Sequence, residues 1–156
     1  MTSATTATPS ASRFSITTIP AVLAAIGVAA GGVLHLQIWR SDYKPIPDGA
    51  VPGLWVVKKG FPINAGVSFV VALVLLAFAF GFVVRVGRLG LLAAVGVEAG
   101  SIAALVLSRE ASIFGWKEPD WSSDAKKVIV VEIASVVLAI VTLAVDMRRS
   151  AATTAD

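Results

Sequence analysis

Four apolar runs, each of roughly 20 residues, constrain this chain more than any other feature of it. A bilayer core about 30 Å thick is crossed by roughly 20 helical residues at a rise of about 1.5 Å each. The runs cover about 19–39, 61–84, 89–108 and 127–145, and so use most of the 156 residues. Hydrophobic residues make up 56% of the chain and charged residues 15%, a balance that leaves too little polar surface for a soluble domain. The expected fold is therefore all-α: a four-transmembrane-helix bundle with short tails and two longer loops on one side.

The segments between the runs complete this outline. Residues 1–17 are mostly Thr, Ser, Ala and Pro and read as a disordered tail. They do not resemble a cleaved signal peptide, because the apolar run that follows is too long and lacks a basic cluster before it. Pro20 and Pro62 fall in the first turns of spans one and two, where a missing N–H costs nothing. Residues 40–60 carry Pro45, Pro47 and Pro52 with Gly49, Gly53 and Gly60, a loop composition. Leu54-Trp55-Val56-Val57 is expected to lie as an apolar patch on the bilayer surface or on the bundle. The connection 85–88 is short enough to make spans two and three antiparallel neighbours. Residues 109–126 form the second long loop, and 147–156 a polar C-terminal tail.

Four spans place both termini on one side. That side carries Arg13, Arg85, Arg88, Arg148 and Arg149; the long-loop side carries Arg40, Lys44, Lys58, Lys59, Arg109, Lys117, Lys126 and Lys127. The bare count favours long loops inside. The tight Arg-x-x-Arg turn and the Arg pair after span four favour the reverse. Trp39, Tyr43, Trp55, Trp116 and Trp121 all fall on the long-loop side and read as interfacial anchors. The reading taken is a multi-pass protein of the plasma membrane with cytoplasmic termini. A net charge of +3 confined to loops and ends does not suit a nucleic-acid binder.

Polar side chains inside spans are the candidate functional residues, since each costs roughly 2.5–3.5 kcal/mol to insert when ionisable. His35, Asn64 and Glu132 fall about one turn inside the long-loop ends of spans one, two and four. Glu98 falls near the midplane, an expected 8–10 Å deeper. Ser101 and Ser135 follow Glu98 and Glu132 by three residues, so each shares a face with its carboxyl. Gly27 with Gly31, and Gly96 with Gly100, form G-x-x-x-G pairs suited to close helix approach, within the bundle or with a second copy. Two arrangements fit these residues: a structural hydrogen-bond network that pins the four helices together, and a polar pocket open to the long-loop side that leads to a carboxyl at mid-depth.

No Gly-rich phosphate loop, H-E-x-x-H or nucleophile elbow is present, so no catalytic residue is assigned. With one His and no Cys, a bis-His haem and thiol chemistry are excluded within one chain. A metal site of His35, Glu132 and water lacks a third strong ligand, so neither a metal nor any cofactor is assigned. Three function classes remain: an accessory or scaffold protein in which the polar cluster is structural, an ion-coupled carrier using Glu98 and Glu132, and a quinone- or lipid-binding redox accessory.

Several short stretches occur together: His35-Leu36 with Trp39, Tyr43 with Ile46-Pro47, Asn64-Ala65, Phe114-Gly115-Trp116-Lys117-Glu118, and Glu132. In these the chain resembles an uncharacterised family of small four-helix integral membrane proteins from GC-rich Gram-positive bacteria. The resemblance covers roughly residues 19–145. It implies the four-span architecture and the choice of His35, Asn64 and Glu132, and no activity. The chain departs from that pattern at Gln37, where relatives tend to carry a second His, and at 48–61, which looks like an extension.

Overall fold

The computed structural model describes residues 17–112, 114–118 and 120–153. Over these residues the protein is all-helical: α1 is Thr18–Ile38, α2 Leu54–Ala79, α3 Val84–Glu110 and α4 Ser123–Thr153. All four are long and apolar enough to cross a membrane. They pack as a ring in chain order, α1 against α2 and α4, and α3 against α2 and α4, so every neighbouring pair is antiparallel. The expected N-terminal tail up to residue 16 and the last three residues lie outside the described residues.

α1 lies close to its neighbours because its inward face is made of small residues. Ala21, Ala24, Ala25, Val28, Gly31 and Gly32 are all buried. A Cβ on Gly27 would lie 2.3 Å from Ser135 Oγ on α4, and one on Gly32 would lie 3.2 Å from both the Ala65 carbonyl and Ser68 Cβ on α2. The Gly27–Gly31 pair is therefore consumed inside the chain and leaves no small-residue face for a second copy.

Two apolar clusters divide the interior. The one towards the termini joins Val28, Val71, Leu75, Phe78, Leu91 and the Ala residues of α1. The one at the long-loop end joins Ile38, Tyr43, Leu54, Leu105 and Val128. The terminal end is also tied by Arg88 Nε, which donates to Asp146 at 2.7 Å across α3 and α4.

Several boundaries differ from the sequence expectation. α2 begins at Leu54, not 61, so Leu54-Trp55-Val56-Val57 is its first turn; Leu54 and Val57 lie against the bundle, one of the two expected placements, and Trp55 is exposed. Gly53, with φ +76°, turns the chain into this helix. Pro62 consequently sits inside α2, not in its first turn; membrane helices tolerate this because neighbouring groups satisfy the freed carbonyl. Lys58, which read as a loop residue, uses its ammonium to hold the real loop, donating to the Ile46 carbonyl and to Asp48, each at 2.6 Å. The turn between α2 and α3 lies at 80–83, not 85–88. Gly81 takes φ +80°, its N–H donates to the Phe78 carbonyl, and the Phe82 N–H donates to the Ala77 carbonyl. This paired C-terminal closure ends α2 and opens α3 earlier than hydropathy alone indicates. α4 likewise extends past both expected limits and includes most of the supposed polar tail.

α1 does not end as a plain helix. Trp39–Tyr43 continues it as a π-helical turn, closed by the Lys44 N–H donating to the Trp39 carbonyl at 2.7 Å. Tyr43 follows His35 by eight residues, which at 3.6 residues per turn would place it about 80° off the His35 face. A wider turn holds more residues per revolution and rotates Tyr43 back. The Phe61 ring marks the result, lying 5.1 Å from the His35 ring and 5.0 Å from the Tyr43 ring.

Candidate functional site: a polar layer with a lateral groove

Between the two apolar clusters lies one polar layer. His35 Nε2 is 2.8 Å from Glu132 Oε1 and 2.9 Å from Ser101 Oγ. Asn64 Nδ2 donates to the same Ser101 oxygen at 3.2 Å. One connected set of hydrogen bonds therefore reaches all four helices: His35 from α1, Asn64 from α2, Ser101 from α3 and Glu132 from α4. Burial is nearly complete, with His35 4% and Glu132 1% exposed. At such depth a broken partner leaves the full desolvation cost of the other.

Glu98 is closer to this layer than its position in the sequence suggests. A Cβ on Gly31 would lie 3.4 Å from Glu98 Oε2 and 3.8 Å from Glu132 Cγ. Both carboxyl side chains thus close on the same glycine, one turn before His35. One oxygen of each, Oε2, is buried without a hydrogen-bond partner, as is His35 Nδ1. Each serine could bond its carboxyl or a neighbouring helix; only Ser101 reaches neighbouring helices. Ser101 turns to His35 and Asn64 rather than to Glu98. Ser135 donates to the Val131 carbonyl of its own helix at 2.8 Å and stays outside the network.

A cavity reaches this layer and extends to the long-loop end, where Tyr43, Ser108 and Arg109 line it. It also opens sideways. Its volume is about 450 Å³, and it runs between α2 and α3, with His35, Asn64 and Ser101 at its polar floor and Phe61, Val67 and Leu105 among its walls. Gly96 and Gly100 create the opening. They were expected to press a neighbouring helix, but a Cβ on either would meet nothing within 4 Å. They line the groove instead. No sequence signal separates a G-x-x-x-G pair that packs from one that leaves a slot.

At the long-loop end the groove is bordered by Arg109. Its guanidinium is committed locally: Nη1 donates to the Leu105 carbonyl at 2.9 Å, Nε donates to the Asp120 carbonyl at 3.2 Å, and the group stacks 4.8 Å from the Trp121 ring. The aromatic residues divide into two kinds. Trp55 is exposed and pairs with Lys59, as an interfacial anchor does, and Trp39 has Lys44 over its ring. Tyr43 is not an anchor. It is buried, and its hydroxyl donates to Glu118 Oε1, which also accepts from Trp116 Nε1 at 3.3 Å. Burial, and then the nearby Asp42 carboxylate, raise the Glu118 pKa above the usual value for its type. Tyr43, Trp116 and Glu118 thus pin the second long loop over the end of α1.

Among the described residues, no three His, Asp or Glu side chains come together as a metal site would require. Comparison with family models, with curated proteins and with solved structures gives no match, so the reading of this site rests on its own geometry.

Proposed function

We propose that the protein is a non-enzymatic accessory protein of the cell membrane that holds a neutral amphiphile drawn from the bilayer. The observation that carries this reading is the lateral groove between α2 and α3 ending on His35, Asn64 and Ser101. Its volume falls within the roughly 300–1,000 Å³ of small-molecule sites, which are likewise mostly apolar with a few convergent polar groups. Apolar walls suit a hydrocarbon tail lying among the lipid chains, and the floor suits an uncharged oxygen-bearing head. The same hydrogen bonds join the four helices, so one cluster serves as both structural tie and binding floor.

The ion-carrier reading finds less support. From Gly31 towards the termini the interior is an apolar cluster of Ala, Val, Leu and Phe. The Thr142 hydroxyl buried there is tied to the Leu138 carbonyl of its own helix. Among the described residues, the buried polar groups between Gly31 and the terminal end are hydroxyls such as Ser135, Thr142 and Thr18, with no buried ionisable side chain to continue from Glu98 and Glu132.

The test fills the groove without touching the packing. Gly96→Leu and Gly100→Leu place side chains where a Cβ meets open space. Both should leave expression and thermal stability intact, since losing a mid-helix Gly gains up to about 1 kcal/mol. Mass spectrometry of gently solubilised protein should find an amphiphile bound to the wild type and absent from both variants. Equal loading of all three would end this reading.

For orientation we infer cytoplasmic termini. Arg85 and Arg88 in the first turns of α3, and Arg148 and Arg149 near the end of α4, support this as short, acid-poor flanks. A C-terminal green fluorescent protein fusion should fluoresce; an active C-terminal alkaline phosphatase fusion would reverse the assignment.

A further inference from the structure

The amphiphile reading can be taken one step further, to the chemistry of the head group, and the following rests on that reading. We propose that the groove takes a planar, carbonyl-bearing ring of the quinone class, its carbonyl accepting a hydrogen bond from Ser101.

The argument starts from one nitrogen. His35 Nε2 lies within hydrogen-bond distance of both Glu132 Oε1 and Ser101 Oγ. A ring nitrogen holds either a proton or a lone pair. The carboxylate partner assigns the proton to Nε2, which then donates. Ser101 Oγ accepts from Asn64 and can accept from His35, so its own proton has no acceptor in the network. Three other buried hydroxyls are satisfied within their own helix: Ser108 donates to Leu105, Ser135 to Val131 and Thr142 to Leu138. Ser101 makes no such bond, and it lines the groove. A ligand carbonyl supplies what it lacks.

The same tautomer leaves His35 Nδ1 as a lone-pair acceptor, buried and without a partner. Charge is the second constraint. Arg109, the one cation along the groove wall among the described residues, lies eight residues or about 12 Å along α3 from Ser101, with its guanidinium turned onto backbone carbonyls and Trp121. A phosphate head group at the Ser101 floor would be buried with no counter-charge beside it, at a cost of several kcal/mol. The head group is therefore neutral.

Shape is the third constraint. Gly96 and Gly100, one turn apart, present bare backbone as a flat strip on the α3 wall, and Phe61 provides an aromatic wall on α2. A slot between a flat strip and an aromatic side chain favours a ring over a branched glyceride.

Calorimetric titration of the full chain in detergent tests this, using a decyl-substituted benzoquinone as one probe and dioctanoylglycerol as the other. The quinone should bind saturably at one per chain. Ser101→Ala should weaken it about 2- to 12-fold, the equivalent of one hydrogen bond of 0.5–1.5 kcal/mol. Gly100→Leu, which leaves the network intact, should abolish it. Unchanged quinone affinity in Ser101→Ala overturns the proposal. Dioctanoylglycerol binding as tightly as quinone, and lost in Gly100→Leu, overturns the ring while the amphiphile groove stands. Quinone binding undiminished in Gly100→Leu places the probe outside the groove and overturns the proposal.

Discussion

Replacing His35 with Ala should cost the bundle about 1–3 kcal/mol, the usual penalty for leaving a buried hydrogen-bonding group without its partner. His35 and Glu132 are 2.8 Å apart and almost fully enclosed. The variant leaves Glu132 with neither oxygen paired, because Oε2 already lacks a partner. It also removes the one group that Glu132 and Ser101 share. Unfolding midpoints in a denaturing-detergent titration would measure the effect. The double variant His35→Leu/Glu132→Leu should regain most of the loss, since apolar replacement of both members of a buried pair is often neutral or better. A loss near 0.6 kcal/mol in the single variant would match an ordinary hydrogen bond between membrane helices and would show that Glu132 is not left stranded.

Gly53→Ala should be the most damaging change at the long-loop end. Gly53 has φ +76°, and a Cβ there would lie 2.2 Å from the Phe114 carbonyl oxygen and 2.8 Å from the Trp116 nitrogen. Both are backbone atoms that cannot rotate away. The backbone conformation alone costs about 1–3 kcal/mol for a residue other than Gly. Relieving the clash must also move the loop that carries Trp116 and Glu118. Limited proteolysis should then cut residues 111–122 faster than in the wild type. Gly60→Ala is the control: the site is helical and open, and the change should be neutral or slightly stabilising. Equal behaviour of the two variants would show that the close approach at Gly53 does not hold the loop.

The four spans were legible because hydrocarbon thickness imposes a length on apolar runs that little else in a sequence imitates. The polar layer was legible for a related reason: His35, Asn64 and Glu132 are costly where they stand, and helical rise alone put them at one depth. What misled was the stretch from Leu54 to Pro62. Gly, Pro and paired Lys signal a loop in water, but here the helix starts seven residues before the expected boundary and carries Pro62 in its interior. The π-helical turn leaves no mark in hydropathy, so Tyr43 read as a surface anchor although it points inward. The groove was hidden for a deeper reason. Gly96 and Gly100 fit a packed seam and an empty one equally, and only the surroundings of α3 decide between them.

The sideways opening changes what concentration means for this protein. On the proposed function, a molecule reaching His35 and Ser101 between α2 and α3 would come from the plane of the lipid, where it would already be enriched by partition. Occupancy then follows its mole fraction among the lipids, not its amount per volume of water. Diluting the buffer at a fixed lipid-to-protein ratio would leave the groove filled, and adding empty vesicles would drain it. For such a site the membrane is the reservoir, and its composition sets the degree of loading.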